Sequence, residues 1–172
     1  TCDSSLVYKY DANSLRLLKK ISVHNSKSYC YGSVMSWDYK YLVVQVADKF
    51  VTLDTKTDKV LYERFDHEYE NGIMSISHDN KILATGGFDS KVNLYNLPTG
   101  KLISSIYTPR GKDFMLVNAE GYYLAPKNTL EAVSFTYNNS TFGFEQFDVR
   151  YNRPDIVLKD LGKADSGLII LF

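Results

Sequence analysis

Histidine and cysteine are scarce in this sequence, three and two among 172 residues. Cys2 and Cys30 form no CxxC pair, and His24, His67 and His78 are scattered, so zinc-ligand spacing is lacking and no metal or cofactor is expected. His67-Glu68-Tyr69-Glu70 lacks the second histidine of a HExxH site. Cys30, in Ser-Tyr-Cys-Tyr-Gly, has none of the flanking residues of a nucleophilic cysteine. The two cysteines could make one disulfide, but with Cys2 so close to the start, free thiols in a reducing compartment are the simpler reading, and the cytoplasm is the expected location. An excess of charge is also missing. Lys plus Arg and Asp plus Glu both count 20, which removes any broad pull toward nucleic acid or anionic lipid. Runs of ~18 apolar residues are absent, so no membrane helix is expected. The first ten residues lack the basic and apolar stretches of a signal peptide.

What the sequence does hold is tyrosine and phenylalanine, 14 and 9 against one tryptophan. These residues suit half-buried pleated surfaces, so the bias points to strands. It also repeats itself. Val34-Met35-Ser36 aligns with Ile73-Met74-Ser75, an offset of 39, while Leu53-Asp54 aligns with Tyr95-Asn96, an offset of 42. The difference predicts a turn three residues shorter in the first copy, between Val46 and Phe50. A partial copy opens the chain, where Tyr10-Asp11-Ala12-Asn13-Ser14 matches Tyr95-Asn96-Leu97-Pro98-Thr99. The marks Tyr10-Asp11, Leu53-Asp54 and Tyr95-Asn96 are thus 43 and 42 residues apart.

Each unit reads as four short strands, in the clearest copy at 73–77, 81–86, 91–97 and 101–107. His78-Asp79-Asn80, residues 86–90 and Leu97-Pro98-Thr99-Gly100 supply the turns between them. Strands are also predicted at 114–117, 122–125, 130–137 and 141–147, and helical patterns are nearly absent. The run Thr85-Gly86-Gly87-Phe88-Asp89-Ser90-Lys91 lacks the ending of a phosphate loop and reads as a hairpin.

A period near 42 with four strands and an aromatic-Asp mark resembles the WD repeat. Asp89 takes the family's Asp position before the third strand, and Tyr10-Asp11, Leu53-Asp54 and Tyr95-Asn96 take the Trp-Asp position. His67 stands loosely where a Gly-His would be, without its glycine, so the family's Asp-His-Ser-Trp network is not expected intact. The run FGFEQFDVRYNRPDIVLKDLG is similar to the end of the propeller in bacterial WD-repeat proteins, some of which carry a caspase-like protease domain.

The resemblance implies an all-β chain: one partial β-propeller over 1–172, built from four-stranded antiparallel WD-type blades. A half blade at 1–21, blades at 33–66 and 73–107, a divergent blade at 113–150 and a closing segment at 151–172 make about three and a half blades. Rings need roughly four to eight. The chain is therefore expected to be part of a longer protein, or to complete a ring as a homodimer. A small ring closed by strands at 155–158 and 167–172 is the third option.

A catalytic reading needs convergent groups. Glu120, Glu131, Glu145, Asp148 and Asp155 could supply a carboxylate pair, but their spacing follows turns and strand faces. Asn138-Asn139-Ser140-Thr141 holds two overlapping glycosylation sequons, relevant only to a secreted eukaryotic protein. Asn152-Arg153-Pro154-Asp155 is the most unusual polar cluster. It reads as an extended corner with Arg153 paired to Asp148 or Asp155, and alternatively as a docking point for an adjoining domain. The expected function is a non-enzymatic scaffold that binds protein through its loops, with Tyr29, Tyr31, Tyr69, Tyr122 and Tyr123 as candidate contacts. The alternatives are a sensor module of a larger bacterial effector and, less favoured, a propeller hydrolase or lyase using His78.

Overall fold

The computed structural model describes residues 2–3, 6–23, 30–65, 71–108, 113–131 and 133–163. They form two compact units. The first comprises Thr1–Asp89 with Asn96–Lys101, the second Ser90–Tyr95 with Leu102–Phe172.

In the first unit a three-stranded sheet has the order β1 (Cys2–Asp3), β2 (Leu6–Tyr10), β3 (Leu17–Ser22). A four-stranded meander follows: β4 (Cys30–Met35), β5 (Tyr41–Val46), β6 (Lys49–Asp54), β7 (Lys59–Phe65). The hairpin of β8 (Asn71–Ile76) and β9 (Ile82–Gly87) completes it. All neighbours pair antiparallel. The central strands β5 and β6 read as nearly continuous apolar runs because they are covered on both faces. Val43, Val44, Val46, Phe50 and Val51 are fully buried. Val7, Val23, Val44, Val46, Val51 and Leu53 pack into one cluster.

β10 (Lys91–Asn96), β11 (Lys101–Tyr107), β12 (Met115–Asn118) and β13 (Tyr123–Leu124), which apart from Asn96 and Lys101 belong to the second unit, lie side by side in chain order. β14 (Ser134–Tyr137) and β15 (Ser140–Gly143) form a separate two-stranded sheet, so the strands of 113–150 are divided between two sheets. Their connection, Asn138-Asn139, has φ of 48° and 60°, the left-handed pair a two-residue hairpin turn requires. This unit departs from the strand-only expectation. Short helices stand at α1 (Lys127–Leu130), α2 (Asp148–Tyr151) and α3 (Pro154–Asp160), with a 3-10 turn at Phe144–Gln146.

The predicted strands at 130–137 and 141–147 are accordingly shorter, and the predicted strand at 155–158 is a helix. Pro154 at its first turn presets φ and has no N–H to leave unpaired, while Asp155 adds an acidic group near the amino end. The predicted strand at 167–172 lies outside the described residues. Met115, Tyr123 and Leu130 form the second core, with Phe135, Phe144 and Tyr151 against it.

The structure corrects the repeat register. Cys30 pairs with Val46 and Asn71 with Gly87; Met35 pairs with Leu42 and Ile76 with Leu83. Equivalent residues are therefore 41 apart at these strands, not 39, and Ser36 corresponds to Ser77. The bulges agree: one falls between Cys30 and Gly32, its equivalent between Asn71 and Ile73. Bulges in the outer ladders, between Lys9 and Tyr10 and between Thr52 and Leu53, recur 43 apart. The first copy is one residue shorter, not three, in the turn after β5. A slip of two residues keeps every side chain on its own face, so the hydrophobic alternation could not detect it.

The thiol expectation is also corrected. Cys30 is disulfide-bonded, and no described cysteine is free.

Candidate interaction surface

The turns are built by side chains that repeat with the strands. Asp11 Oδ1 accepts from the N–H groups of Asn13 (3.1 Å) and Ser14 (2.7 Å) and from the Ser14 hydroxyl (2.8 Å). Asp54 Oδ1 accepts from the Thr57 N–H (2.7 Å) and hydroxyl (2.9 Å). Asn96 Oδ1 does the same for Thr99, at 3.1 and 2.7 Å. A short acceptor followed three residues later by Ser or Thr thus closes each turn through its own side chain. The hydrogen bonds hold Asp11 and Asp54 below the usual carboxylate pKa, the backbone bonds from Ser14 and Thr57 contributing most.

The second member of each Asp or Asn mark is therefore a turn-forming residue. The aromatic or Leu member packs inward at Leu53 and Tyr95, whereas Tyr10 stays half exposed. Asp89 lies in the turn after β9 and is partly buried; His67 lies outside the described residues.

A second set of turns follows the inner strands. The Ser36 hydroxyl donates to Asp38 (2.6 Å) and accepts from the Tyr41 N–H (2.8 Å). Ser77 repeats this with Asp79 (2.7 Å) and Ile82 (2.9 Å). Asn118 takes the same place after β12, accepting from the N–H groups of Glu120 (3.1 Å) and Tyr122 (2.9 Å). The serines and Asn118 are spaced 41 and 41 residues apart, so a further copy of the turn begins at β12. The sequence signal existed, in Ser-x-Asp against Asn-x-Glu, but the slipped register concealed it.

Each of these turns ends on a residue with positive φ: Tyr39 (59°), Asn80 (57°) and Gly121 (88°). Asn and Gly enter this region readily; a tyrosine there is strained by roughly 1–2 kcal/mol. Tyr39 is nevertheless kept, 73% exposed, two residues from Trp37, which is 62% exposed. Trp37 is tied to the next copy. Its N–H donates to Asn80 Oδ1 at 2.7 Å, and its ring centroid lies 5.3 Å from that of His78. Thr55 joins this end of the first unit, its N–H donating to the Lys40 carbonyl at 3.0 Å and its hydroxyl to that of Tyr39. Leu97 does likewise, donating its N–H to the Lys81 carbonyl at 2.8 Å. Trp37, Tyr39 and His78 thus form an exposed aromatic group on hydrogen-bonded turns.

The Asn152-Arg153-Asp155 cluster opens α3. Arg153 forms a two-point ion pair with Asp155, at 2.8 and 2.6 Å, and its N–H donates to the Tyr123 carbonyl at 2.9 Å. Asn152 Nδ2 and the Tyr123 hydroxyl both donate to Asp148, at 3.0 and 3.1 Å, and the far end of α3 is tied to β12 by Asn118 Nδ2 on Asp160 at 2.7 Å. Burial, then Asp148, raises the Tyr123 pKa.

Of the candidate tyrosines, Tyr31 is exposed, Tyr122 is partly buried and Tyr123 is a core residue; Tyr29 and Tyr69 lie outside the described residues. Among the described residues no three His, Cys, Asp or Glu side chains stand close enough to hold a metal ion. No described helix is long and apolar enough to cross a membrane.

Antiparallel meanders with repeating side-chain turns define blade-like sheets, and the fold resembles that of WD40 β-propeller structures. A chain of the crystal structure of a mitotic checkpoint complex matches with a TM-score of 0.51 and 17% identity, over 67% of this chain and 39% of that one. The crystal structure of RRP9 WD40 repeats matches with a TM-score of 0.52 and 15% identity, over 72% of this chain and 45% of that one. The chain thus spans less than half the length of these structures. No protein-family model matches the sequence, and the search of curated proteins found no match.

Proposed function

We propose that the protein is a non-catalytic WD-type scaffold, supplying about three and a half blades of a ring and binding a protein partner through Trp37, Tyr39 and His78. The observation that carries this reading is Tyr39. A bulky, exposed side chain occupies a left-handed position that the sister turns fill with Asn80 and Gly121. Strain held at the surface without a packing return favours a role in recognition. Tyrosine and tryptophan on a braced turn offer wide contact area at little entropic cost.

The test separates binding from folding. Tyr39→Asn should raise the melting temperature, because Asn suits the backbone, and should abolish capture of partners from a lysate of the source cells. Trp37→Ala should lose the same partners. Capture of an unchanged set by both variants would refute the proposal.

A second reading rests on the tail. The run FGFEQFDVRYNRPDIVLKDLG leaves the strand pattern for α2 and α3. That departure favours a contact with an adjoining domain, as in a bacterial sensor module beside a caspase-like protease, with Asn152, Arg153 and Asp155 as its docking point.

A further inference from the structure

Between the β2–β3 ladder and the face of β4, β5 and β6, the first unit holds a partly enclosed cavity of about 280 Å³. Val7, Leu42, Val44 and Leu53 belong to its apolar wall. At one end stand Lys9, Thr55 and Asp58. The Lys9 ammonium donates to Asp58 Oδ1 at 2.8 Å and to the Thr55 carbonyl at 3.0 Å. Lys19 donates to the other Asp58 oxygen at 3.1 Å. Asp58 itself sits at φ 57°, the position its sister turns give to Leu15 and Gly100, with its side chain 13% exposed. Asp54, also on the lining, commits Oδ1 to Thr57.

We infer that this cavity binds a small neutral molecule, with an apolar body of one or two rings and one hydrogen-bond acceptor. The volume sets the size, since an apolar cavity of ~150 Å³ takes benzene and this one is nearly twice that. The charges set the class. Lys9 and Lys19 are balanced by Asp58 and by Asp54 on the lining, so an incoming ion would shed its water against an apolar wall and find no uncompensated counter-charge. A carboxylate would compete with Asp58 for Lys9; an ammonium would meet the two lysines. A neutral carbonyl meets neither obstacle. The Lys9 ammonium has three N–H groups and gives two to Asp58 and Thr55, which leaves the third for such an acceptor. The remaining lining matches the mixture of apolar wall and few placed polar groups that small-molecule sites show.

The test uses the full chain and three matched probes: 2-acetylnaphthalene, naphthalene-2-carboxylate and 2-naphthylmethylammonium, each titrated calorimetrically. The neutral ketone should bind at least about tenfold more tightly than either ion. Leu42→Phe, which places a ring in the cavity, should weaken the ketone by at least about tenfold without lowering the melting temperature. Should that variant fold poorly, Met35→Phe fills the cavity from a more exposed position and should weaken binding in the same direction. Absence of ketone binding, equal or tighter binding of an ion, or unchanged affinity in a folded cavity-filling variant would each overturn the assignment.

Discussion

Tyr39 and Leu15 hold left-handed backbone where other copies of their turns carry Asn80, Gly121, Asp58 or Gly100. Leu15 is 76% exposed at φ 55°, so its side chain gains little from burial while its Cβ crowds the following carbonyl. Leu15→Gly relieves that crowding and adds some freedom to the unfolded chain; the first effect is the larger. A net stabilisation of about 0.5–1 kcal/mol is expected, read from urea unfolding midpoints. Gly100 is the opposite case. A Cβ there would lie 2.5 Å from the Tyr62 ring, whose hydroxyl donates to the Leu97 carbonyl, so its φ of 66° and its space both require glycine.

At the scale of elements, the turns rather than the strands carry the repeat. Asp11, Asp38 and Asp54 accept hydrogen bonds from the turn N–H or hydroxyl groups that follow or flank them, and each has its pKa lowered from 3.8 chiefly by those bonds. A lowered carboxylate pKa contributes stability that is present above the unfolded value and is lost as pH falls below it and through the lowered folded value. The melting temperature should therefore stay level near about pH 6 and drop by about pH 3. Asp11→Asn and Asp54→Asn keep the acceptor, as Asn96 does naturally, and combined they should reduce that acid loss, with Asp38 and the ion-paired Asp58 and Asp155 retaining the rest. An undiminished acid loss in the double variant would count against the turns as its source.

At the scale of the whole molecule, the disulfide at Cys30 fixes the start of β4, a strand whose own residues are mostly exposed. Such a cross-link stabilises mainly by restricting the unfolded chain, commonly by about 2–4 kcal/mol. Reduction should lower the denaturation midpoint by a corresponding amount. Cys30→Ser should reproduce that loss and make the protein insensitive to further reductant. No change on reduction would show that the bond is dispensable for stability.

The repetition, the strand-rich character and the turn residues were legible in the sequence because each is local: alternation writes the strands, and Asp or Asn followed by Ser or Thr writes the turns. The exact register was not, since a slip of two leaves the pattern of faces intact. The helix α3 was missed because Ile156, Val157 and Leu158 serve a strand or a helix equally well in so short a run. The aromatic group of Trp37, Tyr39 and His78 and the cavity beside Lys9 needed tertiary structure. Their residues come from separate turns and sheets, and only folding decides which of them meet and which side chains the backbone must hold under strain.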